Sequence, residues 1–543
     1  MARAPAGARP AVLSISSKKG PRRIRRGTFP LLAALLASLA GPAIAQADSD
    51  EIGRAPERAR QSKWEVIPSL SISETYTDNV FLSTQGNQTS DWVTQLVPGI
   101  AVTSRGPRLT LDAWYAPEIT YYARTEREDK VFHKGNAIGT LELSEDLLYV
   151  EAGAKVDQYD VSLRGPQTTS NVNITNNRAT ALSSFVSPYL RRDLGSSARV
   201  EARFTYSTWR SDEEVQTLPD NDASHVMLRL ESGPAYRLFT WKVAYSGAEI
   251  RYVTQQVTTS EDFLADGRWA LTPTVGLLMQ AGYERYDTGI AFDPIEDPRW
   301  SLGLDWTPTA RTRLAATSGQ RLGDETYSFE FRHRTRLSSW SVAYAEDVTT
   351  SREQFFVPAT TSTSGTLDQM FLTQYPDPAE RQRVVQDFIA RTGLPPSLGQ
   401  PVNFFSDELF LQKRWSASVG LQGARNTVVA NVFWELRKAL TNSTPLPGDF
   451  VASDSIRMTG GSLAWNRRLS ARTAWNLEAG YTRTNFVDTD QVDDFTYIRA
   501  GLTRQLQPRV SASLFYRRQQ LDSTFEGNNY VENAGVATLR MTF

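Results

Sequence analysis

The sequence predicts an all-β protein: a transmembrane, antiparallel, up-and-down β-barrel of about 22 strands, within a range of roughly 20 to 24. Three observations lead to this prediction. Apolar and polar residues alternate in repeated segments, the connections between these segments alternate between short and long, and the chain begins with a pattern typical of exported proteins. The first two features are typical of proteins that cross a bacterial outer membrane with strands.

The first 45 residues have the pattern of a secretory signal peptide. A basic cluster at 22–26 precedes an apolar run at 29–40, and small residues follow at 43–45. The apolar run is shorter than the roughly 20 residues that a membrane-spanning helix needs, and this order of regions is typical of a cleaved signal. We therefore predict cleavage after Ala45 and export through the Sec pathway to the outer membrane of a Gram-negative bacterium.

The alternation of residue types predicts the strands. In one segment Leu109, Leu111 and Ala113 alternate with Thr110 and Asp112. Because successive side chains of a strand point to opposite faces, a period of two predicts a strand with one apolar and one polar face. In a membrane barrel the apolar face meets lipid and the polar face lines the interior.

The connections predict how the barrel is oriented. Short turns, such as those at 272–274 and 469–472, alternate with long polar connections. Outer-membrane barrels place short turns in the periplasm and long loops outside. The longest loop is predicted at 353–403, with helical character within 378–391, and it is expected either to fold into the mouth as a constriction or to stand outside as a cap.

These patterns give a simple domain organisation. The signal peptide occupies 1–45, a short periplasmic segment 46–64 and the barrel 65–543. The alternation changes phase near Gly460 and Gly461, which predicts a β-bulge, since glycine is common in bulges.

The end of the chain indicates partners. Leu539, Met541 and Phe543 lie on one face of the last predicted strand. A terminal Phe in this position resembles the signal that the barrel-assembly machinery reads, so the expected partners are that machinery, outer-membrane lipid and lipopolysaccharide. Tryptophans on the apolar face suit the two interfacial girdles of a membrane barrel: Trp92, Trp300, Trp306, Trp340 and Trp434.

Composition and motifs argue against several functions. The chain has no cysteine and a formal net charge of −1, which removes thiolate chemistry and gives no sign of a nucleic-acid partner. His133, His225 and His333 lie in or beside different predicted strands without the spacing of metal ligands. No nucleophile elbow, phosphate loop or zinc-protease motif is present. We therefore predict no cofactor, no metal and no enzymatic activity.

The first predicted strand carries a family resemblance. Residues 68–82 resemble the first strand of outer-membrane proteins associated with PEP-CTERM/exosortase and exopolysaccharide gene clusters, and this resemblance implies exopolysaccharide or its export proteins as partners. Asp78 and Asn79 are expected either to cap the start of a loop, as Asx residues do, or to take part in docking or cation binding. The specific part of the motif is Tyr76, Thr77, Asp78, Asn79, Val80 and Phe81.

Charged residues on the predicted inward faces are the candidate functional residues. Ordered charges in a pore select permeating solutes by sign, although arginine and glutamate on neighbouring strands can also simply neutralise each other. The candidate lumen-lining residues are Glu330, Arg332, Arg334 and Arg336 on one strand, and Arg199, Glu201, Arg203, Arg499, Arg517 and Arg540 on others.

Two functions follow from these expectations. The first is a porin-like channel or accessory conduit associated with exopolysaccharide secretion. The second is a non-conducting structural barrel that anchors or docks polysaccharide or sorted proteins. Energised TonB-dependent uptake is not expected, because strand one is predicted about 20 residues after the cleavage site and leaves no room for a plug domain.

Overall fold

The computed structural model describes residues 63–125, 129–211, 219–254, 256–289, 294–356, 363–372, 409–440 and 455–543, together with single residues at 375, 381, 384, 385, 388, 389 and 453. The predicted signal peptide and nearly all of the periplasmic segment lie outside the described residues. Strand β1 begins at Lys63 rather than at 65.

The described chain forms one sheet of 24 strand segments, and each pairs antiparallel with its neighbours. The segments are β1 (Lys63–Thr77), β2 (Asp91–Arg105), β3 (Leu109–Tyr115), β4 (Glu118–Tyr122), β5 (Lys130–Phe132), β6 (Gly135–Ser144), β7 (Leu148–Asp160), β8 (Arg178–Leu194), β9 (Ala198–Ser211), β10 (Asn221–Ser232), β11 (Phe239–Tyr252), β12 (Val257–Ala270), β13 (Val275–Asp287), β14 (Ile295–Thr309), β15 (Thr312–Arg321), β16 (Asp324–Arg334), β17 (Ser338–Thr350), β18 (Leu409–Gln422), β19 (Asn426–Ala439), β20 (Ser455–Arg468), β21 (Thr473–Phe486), β22 (Val492–Gln507), β23 (Val510–Ser523) and β24 (Tyr530–Thr542).

The sheet closes into a barrel of 22 strands, as predicted. Segments β3 and β4 both pair with β2 and together form one interrupted barrel strand. Segments β5 and β6, which pair with β4 and β3, form the next interrupted strand. The first and last strands then pair from Ser69 with Thr542 to Thr77 with Ala534. Closure matters because a backbone group exposed to lipid has no other hydrogen-bond partner.

The outer face of the wall is apolar. In β14, Leu302 and Leu304 are about half exposed, whereas their inward neighbours Ser301 and Asp305 are 8% and 4% exposed. Such a large exposed apolar surface is abnormal for a protein in water, but it matches the lipid-facing band of a membrane barrel. Four of the five predicted girdle tryptophans have large exposed fractions: Trp92, Trp300, Trp306 and Trp340.

The two ends of the barrel differ in their connections. Turns of two to six residues join the strands at the end that holds Phe543, and the longest connections, 161–177 and 351–408, lie at the other end. We assign the short-turn end to the periplasm. The described helices are α1 (Ser351–Phe356) and α2 (Thr363–Phe371). No helix within the described ranges is long and apolar enough to cross a membrane.

The predicted bulge at Gly460 and Gly461 is wrong. Strand β20 pairs with β19 and β21 without a shift in register. The sequence changes phase because Ile456 and Met458 face the lumen, where both side chains are fully buried in a cluster with Leu163. The apolar pattern therefore follows packing inside the barrel and not an irregular backbone.

The lipid-facing band predicts how the wall tolerates charge. We expect Leu302→Lys, near the middle of β14, to reduce the free energy of unfolding in lipid vesicles by about 2–4 kcal/mol, because it places an ammonium group in hydrocarbon. Thr317→Lys, on the lumen face of β15, is the matched control and should change stability much less. Equal losses in denaturant titrations would show that the two faces are assigned incorrectly.

Candidate functional site

A row of alternating charges crosses the lumen face of β12–β16. Asp305 accepts hydrogen bonds from Arg268 at 2.9 Å and from Arg313 at 3.0 Å. Arg313 also lies 3.7 Å from Glu330, which forms a second ion pair with Arg332. Each carboxylate is thus shared by two guanidinium groups, and the row carries more positive than negative charge.

A second cluster lies nearer the external ends of β12–β15. Glu284 is fully buried and accepts from Arg321 at 2.8 and 2.9 Å and from the Tyr286 hydroxyl at 3.0 Å. Arg299 lies 3.6 Å from Glu284 and 2.7 Å from Asp262. A buried carboxylate needs such partners, since an unpaired one is strongly unfavourable.

Arg199, Glu201 and Arg203 lie on the lumen face of β9. Arg199 pairs with Asp193 at 2.6 Å, and Arg203 pairs with Glu201 at 3.2 Å. Arg203 also pairs with Glu151 at 3.2 Å, and its guanidinium stacks over Tyr189 at 3.9 Å from the ring centre. Cross-strand neutralisation therefore describes this part of the wall.

Glu532 on β24 is the most densely bonded carboxylate at the barrel seam. It is fully buried and pairs with Arg517 of β23 at 2.6 Å. It also accepts from Thr77 of β1 at 2.8 Å and from Asn173 of the connection between β7 and β8 at 3.3 Å. One side chain thus joins the first strand, the last two strands and a loop.

The remaining predicted lumen residues have different surroundings. Arg499 stacks over Phe515 at 3.9 Å, and Arg540 faces the lumen near the periplasmic end, where it forms no ion pair within the described residues. Arg334 donates to the carbonyl of Ala310 at 3.2 Å. The placement of Arg336 on the same strand face is wrong, because β16 ends at Arg334 and Arg336 lies exposed in the next turn.

The first-strand motif fastens the external end of the seam. Asp78 accepts from the backbone and side-chain amides of Asn533, both at 2.8 Å. Asn79 bonds the backbone of Ser83 in both directions at 2.8 Å and donates to the carbonyl of Val531 at 3.0 Å. This geometry is that of a loop start tied to the closing strand. Val80 is buried, whereas Tyr76 and Phe81 are 41% and 37% exposed.

The connection between β7 and β8, residues 161–177, crosses the external end of the lumen; we call it the crossing loop. Its amide and hydroxyl groups bond Gln519 of β23, which is fully buried and donates to Thr168 at 3.1 Å and to Asn173 at 2.9 Å. At its end the backbone N–H of Ile174 donates to the carbonyl of Val80 at 2.8 Å. The loop therefore spans from one side of the wall to the seam.

The described helical residues of the long connection, residues 351–408, also lie in the lumen. A Cβ on Gly420, near the periplasmic end of β18, would lie only 2.7 Å from Thr366 and 2.5 Å from Met370 of α2, so glycine permits this close approach. Beside α2, Phe371 packs against Phe388 at 5.5 Å between ring centres. The sequence left open whether the long connection is a constriction or an external cap. The described helical residues of this connection lie inside the barrel.

The three histidines occupy ordinary polar positions. His133 bonds Tyr115 at 2.7 Å, His225 bonds Ser246 at 2.7 Å, and His333 bonds Thr312 at 2.9 Å. Among the residues that the structure describes, no three His, Cys, Asp or Glu side chains are grouped so as to hold a metal ion.

Comparisons with known proteins add one family. The profile of the family described as "Putative beta-barrel porin 2" matches residues 458–543. No curated protein sequence matches. Similar solved structures include the siderophore receptor PirA from Acinetobacter baumannii, with 7% identity, a TM-score of 0.44 and coverage of 88% of this chain and 80% of that one. The FrpB iron transporter from Neisseria meningitidis has 9% identity, a TM-score of 0.46 and coverage of 88% and 81%.

The structure of the barrel wall and the family match together indicate where the protein is located. It is a closed antiparallel barrel with an apolar outer face and a polar lumen, and its last strands match a family of barrel porins. Closed barrels and helices are the structures that can span lipid. The chain is an outer-membrane β-barrel.

The Glu532 cluster predicts a large and specific effect on stability. We expect Glu532→Ala to lower the free energy of unfolding by about 3–5 kcal/mol, because it leaves the buried guanidinium of Arg517 without its carboxylate. Arg199→Ala removes half of an exposed pair and should cost about 1 kcal/mol or less. Both changes are measurable as shifts in heat-induced unfolding on electrophoresis.

A double variant separates charge from packing. Replacing Glu532 and Arg517 together by leucine removes both charges and should recover part of the lost stability. A double variant that is as unstable as Glu532→Ala would mean that the loop and strand contacts, and not the buried charge, dominate.

Proposed function

We propose that the protein is a porin-like channel of the outer membrane, and that it serves as a conduit associated with exopolysaccharide secretion. The observation that supports this most is the division of the lumen. The crossing loop and the described helices of the long connection occupy one part, and an ordered row of charges lines the wall of β12–β16. A lumen that is narrowed but still lined by polar groups is the arrangement expected of a selective pore.

The width of the barrel supports the same proposal. Barrels of 16–18 strands leave a water channel, and barrels of 22 strands enclose a larger space that side chains alone do not fill. Here both inward segments start from the external ends of strands, so each narrows the lumen without interrupting the wall. The connection to exopolysaccharide rests on the first-strand motif, which resembles barrels associated with polysaccharide gene clusters.

A non-conducting barrel is the second candidate, and the crossing loop favours it. Its partners Gln519 and Glu532 are both fully buried, and its bonds reach the seam rather than solvent. A loop held this firmly would close its share of the lumen permanently, and the external loops would then act as a docking surface.

Conductance tests the channel proposal. Thr350 pairs with Leu409, and Asp160 pairs with Arg178, so a two-residue Asn-Gly turn can replace either inward segment without disturbing the wall. Reconstituted in planar bilayers, the native protein should conduct, and each replacement should increase the single-channel conductance. The variant with both replacements should conduct most.

A matched control is replacement of the shorter external connection 288–294 by the same turn, which should leave conductance unchanged. Silence of the native protein and of all three variants would contradict the channel proposal and favour the docking platform. A native protein that is silent and conducts only after the crossing loop is removed would identify that loop as a permanent plug.

A further inference from the structure

A cavity of about 400 Å³ lies at the periplasmic end of the lumen, between the wall of β14–β18 and helix α2. Four arginines line it, and no carboxylate is among its lining residues: Arg311, Arg313, Arg332 and Arg334. Hydroxyl and amide groups also line it, including those of Ser341, Ser418, Thr366 and Gln369, together with His333, Trp340 and Leu372. The composition is that of a site for an anion that also carries hydroxyl groups.

The charges at this cavity are not balanced. Two carboxylates pair with its lining arginines, and each is already shared: Asp305 with Arg268 and Arg313, and Glu330 with Arg313 and Arg332. Arg311 and Arg334 form no ion pair within the described residues. Nη1 of Arg334 is buried without a hydrogen-bond partner there, although Nη2 donates to the carbonyl of Ala310. A charged donor without an acceptor is costly, so the Arg334 guanidinium keeps donor capacity that the described residues do not use.

The periplasmic rim beside this cavity is also basic. The turns that follow β14, β16, β18, β20 and β22 each carry one exposed arginine and no acidic residue. Neighbouring turns lie about 12 Å apart, from a strand spacing of about 4.8 Å and a tilt of about 40°. None of these turn arginines forms an ion pair within the described part of the chain. They are Arg311, Arg336, Arg425, Arg472 and Arg509.

The external rim is different. Acidic and basic residues occur together there, and many are paired, such as Arg210 with Asp222 at 2.7 Å and Arg321 with Asp347 at 3.2 Å. Among the described residues, unpaired positive charge is therefore concentrated in these five periplasmic turns. Such a one-sided field attracts anions and raises their local concentration.

We propose that the cavity between β14–β18 and α2 is a binding site for an anionic saccharide that approaches from the periplasm, with Arg311 and Arg334 as the principal anion ligands. Guanidinium groups bind carboxylate or phosphate with two parallel hydrogen bonds, and the neighbouring hydroxyls suit sugar hydroxyls. The proposal deepens the proposed function, since it names the class of glycan that a conduit would accept.

Helix α2 gives the site a second property. Gly365, Thr366, Gln369 and Leu372 form the side of the cavity opposite the arginines. A saccharide in the cavity would therefore contact the segment that narrows the lumen.

Calorimetry on the folded, full-length mature protein in neutral detergent tests the site without relying on conduction. The probes are tri-galacturonate, inorganic phosphate and neutral maltotriose. We expect tri-galacturonate to bind and maltotriose not to bind, with affinity falling as salt is raised. Comparison of tri-galacturonate with phosphate shows whether the site prefers a carboxylate or a phosphate, and binding of either supports the anion site.

The variant Arg311→Gln/Arg334→Gln breaks no ion pair among the described residues and should fold normally. We expect it to weaken tri-galacturonate binding about tenfold or more, since a hydrogen bond to a charged group contributes about 1.5–3 kcal/mol and 1.4 kcal/mol is tenfold. The control Arg425→Gln/Arg509→Gln removes the same charge from turns outside the cavity and should bind nearly as the native protein does.

Three results would overturn the proposal: no binding of either anion, equal binding of maltotriose, or equal weakening in both double variants, which would indicate diffuse attraction by the rim. The outcome is independent of the channel experiment. Specific binding by a barrel that does not conduct would keep the site and reject the conduit.

Discussion

Closure of the sheet between β1 and β24 is the constraint on which the rest of the structure depends. A membrane barrel cannot leave backbone groups unpaired in lipid, so the two strands most distant in sequence must pair in one register. Side chains reinforce that register on the lumen side, where Ser73 bonds Thr538 at 3.0 Å and Thr77 bonds Glu532 at 2.8 Å. The crossing loop attaches to the same seam, and its position therefore depends on closure.

The closed wall creates a space that needs further organisation. Side chains do not fill a barrel of 22 strands, and water alone would leave it a wide, unselective hole. This protein places two loop segments in part of the space and lines the wall of β12–β16 with charge. The individual ion pairs there contribute little stability where they are hydrated. The arrangement of these ion pairs determines the charge that the wall presents to the lumen. Asp305 and Glu330 each hold two arginines in place, and the surface that results is net positive.

The sequence predicts the wall well because the wall depends on a local period. Alternation, turn residues and loop lengths are all readable within about ten residues, and they lead to the strand number and the two faces. The sequence predicts a long polar connection near 160–180 but not its path across the lumen, because the loop is held by residues such as Gln519, 351 positions from Thr168. Length was the one available signal. The bulge prediction at Gly460 was wrong because of the same distant packing. Ile456 and Met458 are apolar on the lumen face since they pack against Leu163 of the crossing loop. Arg336 was assigned to the wrong element because the sequence pattern locates a strand better than it locates the residue at which the strand ends.

A conducting barrel needs a continuous aqueous path along the charged wall of β12–β16. The chain has no cysteine, so a single introduced cysteine can be modified selectively. The most direct measurement is the conductance of Ser341→Cys, whose side chain faces the lumen, before and after reaction with a charged, membrane-impermeant thiol reagent, beside lipid-facing Val342→Cys. The proposed channel predicts that Ser341→Cys reacts when the reagent is added on either side and that its conductance falls, while Val342→Cys is unaffected. Absence of reaction at Ser341→Cys, or reaction without any change in current, would contradict a conducting lumen.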